Sequence, residues 1–203
     1  VGMARMAARL SEGLQGFSHP AADHVLLWDI RQAAGLRPLL PAIEDPGLQG
    51  LARATLDRFE AEVAPALTSC RWQVVHNDLN PHNVLADPEQ PDRIAGVLDF
   101  GDMVRTPRVC DLAVAASYQI DPAAPLESLA AFAAAYHATL PLLPPEAALI
   151  LDLVATRMLT TLAIASWRAA RYPENAAYIL RNLPSARAGL EALAALPRRQ
   201  ALA

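Results

Sequence analysis

Lysine is absent from this sequence: every one of its 17 basic residues is arginine. Neither a G-x-G-x-x-G run nor a G-x-x-x-x-G-K-[ST] loop occurs, so these 203 residues cannot assemble a lysine-type clamp on nucleotide phosphates. Cysteine is scarce. The 2 present, Cys70 and Cys110, stand at no metal-ligand spacing and follow no secretory signal, which excludes a disulfide framework and predicts buried free thiols in a reducing cytoplasm. Excess positive charge is lacking too: the net charge is -4, and the arginines are scattered singly or in pairs with no basic stripe, so nucleic acid is excluded as a partner. Long apolar runs are also missing. The longest uncharged stretch, residues 128–145, is interrupted by His137, Pro141, Pro144 and Pro145, and the next apolar stretch carries Asp152 and Arg157, so no membrane span is expected. The first residue is valine and a helical pattern begins at once, so the chain is expected to be cut from a longer polypeptide.

What is present is enough apolar material, 53% of residues, for a substantial core in one domain or two small ones. Met3, Met6, Ala7, Leu10, Leu14 and Phe17 recur at helical spacing and predict an opening amphipathic helix over residues 3–17, ended by His19 and Pro20. A shorter helix is expected over residues 22–32. After a Pro- and Gly-punctuated stretch at 35–47, Leu48, Leu51, Thr55, Leu56, Phe59 and Val63 mark a helix running to about residue 67. Between Arg71 and Asp99 the pattern changes to β-compatible runs at 72–75, 84–85 and 94–98, separated by polar turns of the kind that carry functional residues. Helical patterning returns at 112–118, 126–140, 146–171 and 175–196, with Pro141, Pro144, Pro145, Pro173 and Pro184 as breakers. The expected class is therefore α+β, predominantly α-helical, with a short β-hairpin segment carrying the loops.

One of those loops reads His76-Asn77-Asp78-Leu79-Asn80-Pro81-His82-Asn83, and Asp99-Phe100-Gly101 follows it after two short strands. This is the H-x-D-x-x-x-x-N and D-F-G order and spacing of phosphoryl-transfer sites. Such chemistry needs a carboxylate to orient an attacking hydroxyl and oxygen ligands for divalent cations that offset phosphate charge. Asp78 suits the first role, orienting the hydroxyl and accepting its proton, and Asn83 and Asp99 suit the second, with magnesium as the metal. A hairpin through residues 84–85 and 94–98 would return Asp99 to the side of Asn83. Singly, each residue is an ordinary turn residue; the joint pattern carries the inference.

At these residues the sequence resembles the aminoglycoside phosphotransferase and choline kinase family. The run Val97-Leu98-Asp99-Phe100-Gly101-Asp102-Met103 looks more like the hydroxylysine kinase branch, and the resemblance covers most of residues 1–140. It implies the C-terminal, catalytic-loop lobe of a protein-kinase-like fold, with ATP or GTP as donor, Mg²⁺, and an acceptor that is the hydroxyl of a small amine-containing metabolite. It further implies that His76 supports the loop and that Asp111 stabilises the segment after the metal site, although a plain helix N-cap is the preferred reading of Asp111 as a residue. Asp102, just past the triplet, is a candidate to bind a substrate amine, or else a solvated turn carboxylate. His82, without a partner at ligand spacing, reads as loop structure. Asn77 stands where the family usually has glycine.

The family also requires a glycine-containing hairpin, a lysine and a glutamate that this chain lacks. Residues 1–203 are thus expected to supply half a site and to be inactive alone, the rest coming from an N-terminal lobe or a fused domain. A non-catalytic ligand- or partner-binding module is the competing reading, and retention of Asp78, Asn83 and Asp99 together weighs against it. A metal-dependent phosphohydrolase would need paired His or Asp ligands that are not found.

Overall fold

The computed structural model describes residues 1–90 and 93–197. Helix α1, Gly2–Gly13, buries Met3, Ala4, Ala7, Ala8 and Ser11, one stripe at helical spacing. It ends short of the expected residue 17 because the chain turns at Gly16, whose φ of +79° a side chain would resist. The helix expected at 22–32 does not form. Instead His19 Nδ1 accepts a hydrogen bond from the Ala21 N–H to start a 3₁₀ turn at Pro20–Asp23, and a second 3₁₀ segment runs from Ile30 to Ala42. Pro38 and Pro41 lie inside that segment and deny it α-helical bonding. Its buried Ile30, Ala33 and Leu36 follow the three-residue period of a 3₁₀ helix.

Helix α2, Pro46–Arg58, starts where Asp45 Oδ1 accepts from the Leu48 N–H, and it continues through a π-helical turn, Phe59–Val63, into the short α3, Ala64–Ala66. Four strands then form two antiparallel pairs. β2, Val84–Ala86, pairs with β3, Ile94–Val97, as expected. β1, Trp72–Val75, pairs with β4, Val104–Pro107, which the sequence pattern did not suggest: four residues with an exposed arginine and a terminal proline carry almost no strand signal. This pairing places the end of β1, from which the 76–83 loop departs, against the start of β4, which follows the 99–101 triplet.

The remainder is helical: α4, Arg108–Ser117; α5, Pro125–His137; α6, Pro144–Arg171; α7, Ala176–Ile179; and α8, Leu183–Ala194. The expected single helix over 175–196 is broken into α7, a 3₁₀ turn and α8, with Pro184 in the first turn of α8. Helix α6 is the central post, packed against α2, α4, α8 and the long 3₁₀ segment. It is long and apolar enough to cross a membrane by composition, but 72% of its apolar window is buried inside the protein, so it is a core helix. Cys70 and Cys110 are buried free thiols.

The N-terminus of α6 is fastened by Glu146, which is fully buried. Its carboxylate accepts from the Leu143 N–H at 2.9 Å and from Arg71 Nε at 2.8 Å, with a second bond from Arg71 Nη2. Burial alone pushes this carboxyl up, and the Arg71 guanidinium with the Leu143 amide outweighs it, so Glu146 titrates below the usual glutamate range. A carboxyl depressed by folding stabilises the fold fully above that range and loses the contribution as pH falls through its folded value. Glu146→Gln should therefore lower the urea midpoint at neutral pH and flatten the loss of stability on acidification. An unchanged acid limb in the variant would show that other carboxyls control it.

Candidate active site

Leu79, completely buried, anchors the 76–83 loop in the core, and the polar residues on either side bond to one another. Asn80 Oδ1 accepts from the His82 N–H at 2.8 Å, an Asx turn that begins the 3₁₀ turn Pro81–Asn83. Asn80 Nδ2 and Asn83 Nδ2 both donate to Asp78 Oδ2, at 3.0 and 2.9 Å, and Asn83 Nδ2 also reaches the Asp78 carbonyl at 2.9 Å. The Asp78 side chain is thereby held in one orientation, with 23% of it still exposed.

His76 staples this loop to the next. Its Nδ1 accepts from the Asp78 N–H at 3.2 Å, so the neutral ring carries its proton on Nε2, which donates to the Leu98 carbonyl at 2.9 Å. The Phe100 ring packs edge-on against it with centroids 4.9 Å apart. The Leu98 N–H donates to the Asn83 carbonyl at 2.8 Å, and Val84 pairs with Val97, so the β2–β3 hairpin delivers Asp99 next to Asn83 as the sequence spacing requires.

Asp99 takes a left-handed backbone, φ +59°, and its Oδ1 accepts from the Gly101 N–H at 3.3 Å. Its carboxylate is exposed. The amide of Asn83 spends its nitrogen on Asp78, which leaves Oδ1 as an oxygen donor. Among the described residues no three His, Cys, Asp or Glu side chains form a metal cage. A hard cation that takes one or two protein oxygens and completes its shell with phosphate and water, as Mg²⁺ does, fits the Asn83 and Asp99 pair.

Asp111 is not a helix N-cap. Pro107 occupies that position of α4, and Asp111, buried in the first turn, accepts from the Asn77 N–H through Oδ1 at 2.7 Å. Burial pushes its carboxyl up, with the Asn77 amide and nearby positive groups opposing. Asp111 thus ties the 76–83 loop to the helical core. His82 contributes its backbone N–H to the Asx turn and leaves its ring exposed, as loop structure.

A side chain the motif could not supply completes the arrangement. Arg157, on α6 and 1% exposed, places Nη2 3.1 Å from Asp78 Oδ1. It also donates to the Trp28 carbonyl at 3.0 Å and the Tyr118 hydroxyl at 3.4 Å, and lies over the Trp28 ring. Asp78, Asn80, Asp102, Trp28, Tyr118 and Arg157 line one pocket of about 280 Å³. Asp102 is half-buried there, and its carboxyl is raised by burial first and then by the negative charge of Asp78.

A family model described as "Phosphotransferase enzyme family" matches residues 2–149. The chain belongs to this family. Hydroxylysine kinase of Mus musculus is 27% identical to it over 187 residues, a match covering 87% of this chain and 50% of that protein, so the chain spans about half the length of such relatives. Among solved structures, the microcompartment-associated aminopropanol kinase superposes with a TM-score of 0.58 at 21% identity, covering 99% of this chain and 62% of the other. Wild-type aminoglycoside 2'-phosphotransferase-IIIa, in its GDP complex, gives 0.55 at 17% identity, covering 95% and 61%. These similarities establish the protein-kinase-like fold, predominantly helical with small antiparallel sheets.

In this member of the phosphotransferase family, Arg157 had one available sequence signal: a lone arginine in the middle of an apolar helix, which is rarely buried unless a carboxylate faces it. Asn77, where the resemblance led us to expect glycine, carries a cost. Its φ is +66°, and neither polar atom of its buried side-chain amide has a partner among the described residues. Asn77→Gly should relieve both penalties and stabilise the protein by about 1 kcal/mol. The denaturant midpoint measures this, and a destabilised variant would mean that the amide is bonded in solution.

Proposed function

We propose that this chain is the acceptor- and metal-binding half of an ATP- or GTP-dependent kinase that phosphorylates a hydroxyl of a small amine-containing metabolite, of the hydroxylysine, homoserine, choline or aminoglycoside kind. The observation that carries this reading is the Asp78 carboxylate at the pocket, oriented by Asn80, Asn83 and Arg157 with part of its surface left open.

In the proposed reaction the substrate hydroxyl donates to Asp78, which takes its proton as the oxygen bonds to the γ-phosphorus. The bond from that phosphorus to the β,γ-bridging oxygen breaks, and the nucleoside diphosphate leaves. Asn83 and Asp99 would hold Mg²⁺, whose chemistry is to offset charge on the phosphate oxygens. Asp102, made less acidic by its surroundings, gains from a positive partner and is the proposed seat of the substrate amine. His76 and Asp111 keep the loops in register. The glycine hairpin, lysine and glutamate absent here are assigned to a preceding lobe or fused domain of the same polypeptide, and the location to the cytoplasm.

The test is transfer of the terminal phosphate from Mg·ATP or Mg·GTP to a hydroxyl amine by the full-length polypeptide, followed by phosphorus NMR of the product. In that protein Asp99→Ala should raise the Mg²⁺ concentration needed for half-maximal rate at least about tenfold, since a metal ligand and its charge are lost. An unaltered Mg²⁺ dependence would remove Asp99 from the site. Full activity from residues 1–203 alone would overturn the half-site assignment.

A further inference from the structure

Tyr118 lines the Asp78 pocket, has no part in the reaction above, and carries a hydroxyl hydrogen that the protein leaves unspent. A guanidinium has donors only. In the contact between Arg157 Nη2 and the Tyr118 hydroxyl, 3.4 Å long, the phenol oxygen therefore accepts, and its own proton turns away from Arg157. Among the described residues the phenol bonds to Arg157 alone, so nothing accepts that proton. Both partners are rigidly held. Tyr118 is the C-cap of α4, whose residues 108–116 are all buried. Arg157 is fixed by Asp78, by the Trp28 carbonyl and by the Trp28 ring beneath it. The same Nη2 reaches Asp78 Oδ1 and the Tyr118 oxygen, so Arg157 sets a proton acceptor and a proton donor side by side at one pocket.

An attacking hydroxyl can use such a pair. Its oxygen carries one hydrogen and two lone pairs: the hydrogen goes to Asp78, one lone pair must point at phosphorus, and the other is free to accept a hydrogen bond. We propose that Tyr118 is a substrate-contact residue whose O–H donates to the oxygen of the acceptor's reacting hydroxyl, while that hydroxyl donates to Asp78. Held from both sides, the oxygen keeps a single free lone pair, and the contribution of Tyr118 is to aim it. The Tyr118 proton stays on its own oxygen throughout, so the balance of the transfer is unchanged. This inference rests on the kinase reading above and adds a residue to it. The contact is to the hydroxyl itself and holds whatever the rest of the acceptor is.

The test uses the full-length polypeptide with Mg²⁺ and a β,γ-imido nucleotide, and compares the affinity of an acceptor with that of its deoxy counterpart. The pairs are hydroxylysine against lysine, homoserine against 2-aminobutyrate, and choline against ethyltrimethylammonium, taking whichever acceptor is phosphorylated. Tyr118→Phe, with folding checked by circular dichroism, should weaken the acceptor by about twofold to tenfold, the net worth of one hydrogen bond between neutral groups, and leave the deoxy compound unchanged. A general disturbance of the pocket would weaken both. Tyr118→3-fluorotyrosine, whose phenol donates better and accepts worse, should bind the acceptor at least as tightly as the unaltered protein; an effect passed through Arg157 to Asp78 would weaken it instead. An affinity ratio that Tyr118→Phe does not move, or an acceptor bound more weakly by the fluorotyrosine variant, would overturn the inference and leave the kinase reading standing. Transfer to no hydroxyl amine by the unaltered protein would overturn the kinase reading and this inference with it.

Discussion

Asp78→Asn in the full-length polypeptide should lower kcat by about 10²–10⁴-fold, the usual contribution of a positioned proton acceptor. The substitution preserves shape and can still accept from Asn80 and Asn83, but it leaves the buried Arg157 guanidinium without its counter-charge, so the variant should also lose stability and the rate is compared under conditions where circular dichroism shows it folded. The residues that bond Asp78 sharpen the expectation. Both carboxylate oxygens already accept from Arg157, Asn80 or Asn83, and the side chain still keeps a solvent-facing surface for a substrate hydroxyl. Single-turnover kinetics with saturating nucleotide measure the effect on the chemical step. A variant that transfers phosphate at the normal rate would show that Asp78 only shapes the loop, and the proposed chemistry would have to be abandoned.

Arg157→Met is expected to cost about 2–4 kcal/mol in stability and to lower kcat as well. The side chain is buried and binds three elements at once: the 76–83 loop through Asp78, the segment before the long 3₁₀ helix through the Trp28 carbonyl, and α4 through its C-cap residue Tyr118. Methionine fills much of the volume but returns none of the donors, so the Trp28 carbonyl and the Asp78 carboxylate lose their partner. The expected cost lies below that of a fully buried broken ion pair because Asp78 can recover hydration. Arg157→Lys should regain part of the stability by restoring charge, but not all of it, since an ammonium cannot span the same partners from one planar fork. Equal denaturant midpoints for Arg157→Met and the unaltered protein would mean that the pairing with Asp78 contributes nothing to the fold.

The helical stripes of α1, α2 and α6, and the hairpin of β2 and β3, were legible because each follows a local periodicity set by burial of one face. The segment at 20–42 was not. Its apolar spacing suits a helix, but whether the backbone closes α or 3₁₀ bonds there depended on prolines and on where Trp28 had to be anchored. β4 was illegible for a different reason: four residues paired to β1 across more than the whole catalytic region draw their stability from a distant partner. Asp111 shows the same limit in the site. As a residue near a helix start it reads as a cap, and only the packing of α4 under the 76–83 loop turns it into an acceptor for the Asn77 amide.

The sequence by itself determined the family, the spacing of Asp78, Asn83 and Asp99 on which the proposed roles rest, and, through the absence of lysine, that these 203 residues hold no lysine-type phosphate clamp. Those features are set by residue type and short spacing, which a linear pattern records in full. The tertiary structure decided what surrounds them: the guanidinium of Arg157 on Asp78, the tie from Asp111, and a pocket lined by Trp28 and Tyr118 together with Asp78, Asp102 and Arg157. These groups are brought together by the packing of α6 against α4 and the 3₁₀ segment that follows Trp28, and contacts between residues so far apart in the chain leave no periodic trace in it.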